Sequence, residues 1–144
     1  MMRDLVSRLA QVQAIGPAVL SANNTPSTLD LQGYNSAAFL ISVGAGGITF
    51  SSTNKIEFVV THSDDDSTYV NVTDADVQGV SGISNGIVRS LVAAKAAADT
   101  APTEIGYIGN KRYLKVLAQF SGTHGTGTPM SVVLVKGNGA VKPS

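Results

Sequence analysis

The stretch Lys55–Thr73, KIEFVVTHSDDDSTYVNVT, decides the class of fold. Its first eight residues are rich in β-branched and aromatic side chains, the composition of a half-buried strand. Ser63-Asp64-Asp65-Asp66-Ser67 is a tight polar connection. Thr68–Thr73 then alternates, with Tyr69, Asn71 and Thr73 on one face and Val70 and Val72 on the other. Strand, Asp-rich turn, strand is the signature of a β-hairpin.

The pattern repeats outward from this hairpin. Thr28–Leu31 alternates with period two, and Ala37–Gly44 (AAFLISVG) is a nearly continuous apolar run, expected to be buried on both faces. Downstream, Gly86–Val92 follows a Ser84-Asn85-Gly86 turn, and Ile105–Ile108, Arg112–Phe120 and Met130–Lys136 are further strand candidates. Val12–Leu20 is apolar but interrupted by Gly16-Pro17, which predicts an edge strand or a bulge, because proline has no ladder donor. Ala93–Glu104 is ambiguous: its alanines favour helix and Pro102 stops one, so a loop with at most one helical turn is expected. Six to nine short strands at this spacing predict an all-β protein, an antiparallel β-sandwich or barrel-like domain.

The organisation follows. Residues 1–13 form an N-terminal arm in which Leu5, Val6, Leu9 and Val12 fall at helical spacing. Two such turns are marginal alone and need a surface to pack on. Residues 14–138 make a single β domain, and 139–144 a flexible tail. The 144 residues carry ten Lys plus Arg and ten Asp plus Glu, so the net charge is zero. That argues against affinity for nucleic acid built on phosphate neutralisation. Charged residues are only 14%, replaced by 15 Gly, 15 Ser and 12 Thr, which suits turns and a small-residue polar surface. With no cysteine, disulfides, thiolate metal sites and a Cys nucleophile are excluded. No apolar run approaches a membrane span and Met1–Gln13 has no long apolar h-region, so no membrane partner is expected.

Catalytic and ligand motifs are weak. Asp64-Asp65-Asp66 offers calcium-type oxygens but has neither EF-hand spacing nor a closing Glu, and reads as a solvated turn. Asp74 and Asp76 share a strand face without an evident base or acid to join them. His62, beside the acidic turn, is expected to bond a neighbouring Asp. Ser121 and His124 belong to no nucleophile elbow. Gly122, Gly125 and Gly127 lack the Lys-Ser/Thr that completes a phosphate loop. The sequons at Asn23 and Asn71 have no secretory context. One turn, Gly109-Asn110-Lys111-Arg112-Tyr113, sets two adjacent cations before a strand; it is either a solvated corner or a basic contact for an acidic partner surface.

Three segments carry a resemblance: Asp30–Ala37 (DLQGYNSA), Glu57–Tyr69 (EFVVTHSDDDSTY) and Gly106–Val116 (GYIGNKRYLKV). With VQAIGPAVL they resemble the capsid decoration (cement) proteins of tailed bacteriophages, such as those of Chi-like siphophages. The hairpin turn departs from the family's Asp-Asp-Gly, having Asp66 third. The resemblance implies a structural virion protein on the outer capsid surface, with no enzymatic activity and no cofactor. Its expected partners are the major capsid protein and further copies of itself, as a homotrimer at local three-fold positions. The contact residues expected are Leu5, Val6 and Leu9 of the arm and Lys111 and Arg112 of the basic corner. A neck or tail component and a carbohydrate- or receptor-binding module are the alternatives.

Overall fold

The computed structural model describes residues 9–139 apart from 46 and 96. Ten strands occur, with one 3₁₀ turn at Asp74–Asp76: β1 Ala10–Leu20, β2 Leu29–Asp30, β3 Tyr34–Val43, β4 Lys55–Ser63, β5 Val70–Asn71, β6 Val77–Gln78, β7 Ile87–Leu91, β8 Thr103–Tyr107, β9 Tyr113–Ser121 and β10 Thr128–Gly139. One sheet runs β1-β10-β3-β8-β6. The other runs β2-β9-β4-β5, with β7 also on β4. Every pairing is antiparallel. The chain is an all-β sandwich.

Alternation builds its core. Phe39 and Ile41 of β3, Val132 and Leu134 of β10, Ile56, Phe58 and Val60 of β4, and Leu114, Val116 and Ala118 of β9 are all buried between the sheets. Full burial of a Phe or Leu side chain is worth about 2 kcal/mol, which sets these inner rows as the main source of stability. Ala38, Leu40 and Ser42, by contrast, are only half-buried, so the continuous run of β3 is covered on one face, not two. A long apolar run here marks a central strand with an apolar outer face.

β1 is an edge strand, as Pro17 requires. Its register on β10 slips between Gln13 and Ile15 and again between Ile15 and Ala18, bracketing Gly16-Pro17. The expected boundary between arm and domain falls inside this strand. Ala10–Gln13 are extended and pair with Lys136–Val133, so this part of the arm is strand and not helix. Leu5 and Val6 lie outside the described residues.

The hairpin forms between β4 and β5, where Thr61 faces Asn71 and His62 faces Val70. Its second arm is only two residues long, because the chain turns off at Thr73 into the 3₁₀ turn. Val72 is buried and Val70 half exposed, so the two do not share a buried face as the alternation predicts. The 93–102 region carries no helix among its described residues. Asp99 instead ties it down: its amide donates to the Val43 carbonyl at 2.9 Å and its Oδ2 accepts from the Val43 amide at 2.9 Å.

Asparagines finish the exposed side of β9. Asn24 spans it as a strand would, donating from Nδ2 to the Val116 carbonyl (3.2 Å) and accepting from the Ala118 amide (2.8 Å). Asn23 Oδ1 accepts from the Phe120 amide at 2.7 Å. The first of the two sequons is thus spent on sheet structure.

Candidate functional site

The register places three of the expected contact residues, Leu9, Lys111 and Arg112, at one end, and Leu5 and Val6 lie outside the described residues. β1 begins opposite Lys136, β3 begins opposite Gly139, β8 ends at Tyr107, and β4 ends opposite Tyr113 at the start of β9. Leu9, just before β1, and the Lys111-Arg112 corner, just before β9, therefore share one end of the sandwich. A chain of contacts joins them. Leu9 packs over Gly137, where an added Cβ would come within 3.1 Å of its Cδ2. Lys136 Nζ donates to the Asp30 carbonyl at 3.2 Å, and Asp30 grips Arg112.

Both corner cations are matched within the chain. Arg112 meets Asp30 in a two-pronged pair, Nε to Oδ1 and Nη2 to Oδ2, each 2.8 Å, and Nη2 also donates to Gln32 Oε1 at 2.6 Å. Its guanidinium lies 4.9 Å from the centroid of the Tyr113 ring. Lys111 Nζ donates to Asp64 Oδ2 at 2.7 Å. The hydrogen bond from Arg112 holds the Asp30 carboxyl below its ordinary 3.8, against a smaller opposing effect of burial. The corner is thus a charge-paired face, its two cations already matched by Asp30 and Asp64.

The acidic turn is occupied by the chain itself. Asp65 Oδ1 accepts from Ser63 Oγ (2.8 Å) and from the amides of Ser67 (2.9 Å) and Thr68 (3.0 Å). Asp66 Oδ1 accepts from Thr28 Oγ1 at 2.9 Å and from the Tyr69 hydroxyl. Asp66 also has φ +57°, the left-handed region where the resembled family has glycine. Its side-chain bonds hold it in a conformation that asparagine and aspartate tolerate better than most residues. Among the described residues no three His, Asp or Glu side chains gather as a metal site.

His62 differs from expectation. It points inward at the end of the Ile56-Phe58-Val60 row, 5% exposed, and its Nδ1 meets the Tyr107 hydroxyl of the opposite sheet at 2.8 Å. Its nearest acid is Asp76, with Nε2 to Oδ2 at 3.8 Å, not the Asp run beside it in sequence. Asp76 Oδ2 itself accepts from the Thr73 amide and hydroxyl, and Asp74 accepts from the Gly82 and Ile83 amides. The two acids of the 74–76 segment cap turns. At the far end, His124 is 3% exposed, its Nε2 donates to the Ser121 carbonyl at 2.7 Å, and its ring stacks edge-on against Phe120. That ring packing and the backbone bond do not bring the Ser121 hydroxyl to His124 as a nucleophile–base pair.

The residues missed from sequence are Asp30 and Tyr107, each of which meets its partner only through the fold; Asp76, expected to share a strand face with Asp74, lies instead in a 3₁₀ turn and approaches His62. An open cleft of about 360 Å³ lies beside the corner, lined by Gln32, Tyr34, Tyr107, Asn110, Lys111 and Arg112 among others. It holds no convergent acid–base pair.

No family model matches the chain, and no curated protein matches it in sequence. Among solved structures, the SPBc2 prophage-derived protein YomS aligns over 89% of this chain and 91% of its own, with a TM-score of 0.45 and 12% identity. An alignment at that level assigns no function.

Proposed function

We propose that this chain is a structural protein of a tailed-phage virion, decorating the outer capsid surface and clamping neighbouring major capsid proteins. The observation that carries the reading is the convergence of Leu9 and the Lys111-Arg112 corner on one end of the sandwich. The resemblance of Asp30–Ala37, Glu57–Tyr69 and Gly106–Val116 supports it, since all three segments reach this same end. The mechanism is mechanical and needs neither catalysis nor a cofactor. Copies associate as a homotrimer at local three-fold positions, each adds a modest interface, and the lattice supplies avidity. Preferential binding to the expanded shell stabilises that state by mass action. Neither nucleic acid nor membrane takes part.

Copy number in purified virions, by quantitative mass spectrometry against the major capsid protein, tests the reading. A ratio near one per capsid subunit is expected. A ratio of a few per cent would place the chain at the neck or tail, and absence from virions would overturn the proposal.

A further inference from the structure

A hydrogen-bonded relay lies beneath the corner. The Lys111 amide donates to the Tyr107 hydroxyl oxygen at 3.1 Å. Tyr107 is 3% exposed, and its hydroxyl also lies 2.8 Å from His62 Nδ1. The tautomer is set from the other side of the ring, where the Asp76 carboxylate lies 3.8 Å from Nε2 and favours a proton there. That geometry makes Nδ1 an acceptor and places the imidazole proton on Nε2, facing Asp76. The relay links three elements: β4 in one sheet, β8 in the other, and the 108–112 corner. A second bond, from the Ile108 amide to the Asp76 carbonyl at 2.7 Å, anchors the start of the corner.

A proton on Nδ1 breaks the relay. Nδ1 then becomes a donor, and the Tyr107 hydroxyl loses the acceptor for its own proton inside the core. Nδ1–H and the Lys111 amide then both point at one hydroxyl oxygen whose own proton has no acceptor, a costly arrangement that is relieved when the Lys111 amide lets go. Protons have a route in. His62 lines an open cleft of about 180 Å³ together with Ser63, Asp64, Asp65, Thr68 and Lys111.

We propose that His62, Tyr107 and the Lys111 amide form an acid-released latch, in which neutral His62 holds the 108–112 corner against the sandwich and protonated His62 frees it. The charged groups around His62 are Asp76 from the 3₁₀ turn, Lys111 from the corner and Asp64 from the hairpin turn; Tyr107 faces it from β8. Desolvation pushes its titration below the ordinary 6.5, Asp76 opposes this, Lys111 adds to it, and Asp64 opposes it. The corner therefore stays latched at neutral pH and opens on acidification below that value. The latch stands or falls independently of the capsid reading.

Amide exchange of the 109–113 segment, followed by NMR on the intact chain and corrected for the intrinsic effect of pH, tests it. His62 ionisation is read in the same samples from its Cε1 proton. Lys111 amide protection is expected to fall about fivefold to tenfold in step with His62 protonation, the worth of one hydrogen bond. His62→Asn keeps an acceptor near Nδ1 that does not titrate, and its corner should stay protected throughout. Tyr107→Phe should expose the Lys111 amide at every pH, with His62 still titrating. Titration of His62 without change at Lys111, or a pH-dependent corner in Tyr107→Phe, would overturn the proposal.

Discussion

Two arginine–aspartate pairs, each two-pronged, sit at opposite ends of this sandwich, Arg112 binding through Nε and Nη2 and Arg89 through Nη1 and Nη2. Arg112 holds Asp30 with two bonds of 2.8 Å, and the side chains are 43% and 42% exposed. Arg89 of β7 holds Asp99 with bonds of 2.9 and 3.1 Å, and there the exposures are 16% and 14%. The carboxylates also have different duties. Asp99 takes a third donor, Lys95 Nζ at 2.7 Å, and a fourth, the Val43 amide. Through Asp99, β7 of one sheet is joined to β3 of the other. The pair geometry alone does not set what a salt bridge is worth; burial and the other groups that would be orphaned do. The Asp99 cluster is a structural clasp, while the Asp30 pair remains open to solvent.

The sharpest way to break this contrast is Asp99→Ala. It leaves Arg89 and Lys95 mostly buried without their acceptor and orphans the Val43 amide, so a loss of about 3 kcal/mol is expected in urea unfolding. A loss below about 1 kcal/mol would equate the two ends. Acid supplies the next test. Burial raises the Asp99 carboxyl, but the bonds from Arg89, Lys95 and the Val43 amide outweigh it and hold it well below 3.8. A depressed carboxylate contributes stability above its unfolded value and loses it as pH falls below that value. Unfolding titrations from neutral pH downward should therefore show a loss beginning below about 4 that is reduced in Asp99→Asn. Lys95→Ala removes one donor of the clasp and should cost roughly 0.5–1 kcal/mol in the same assay. Arg112→Ala is the smallest: its shift in melting temperature should be slight and should vanish at molar salt, whereas the Asp99→Ala shift should persist.

What was legible in the sequence was local. Val12–Leu20 announced an edge bulge through Gly16-Pro17, and Lys55–Thr73 announced its hairpin. Asn85 and Gly86 both adopt positive φ, at +55° and +74°, as an Asn-Gly turn demands. What was hidden depended on distant partners. Arg112 finds Asp30 from 82 positions away, and His62 finds Tyr107 from 45. No spacing rule reaches so far. Ala93–Asp99 shows the same limit differently: its alanines favour helix, but Lys95, four residues before Asp99, meets it in a loop because Asp99 is already fixed to β3 and β7. Of the contact residues, the Lys111-Arg112 turn was visible, and the acids that neutralise it were not.

The pairing of β1 with β10 has a consequence in time. The first described strand to leave the ribosome has the last as its sheet neighbour. Such non-local pairing closes slowly, because the whole intervening loop must be ordered first. During synthesis, Ala10–Leu20 waits without a partner, and it contains no charged residue to discourage other strands from docking. Gly16-Pro17 interrupts it midway. The bulge that shapes an edge in the finished protein also splits a sticky, uncharged segment while the nascent chain is still unprotected.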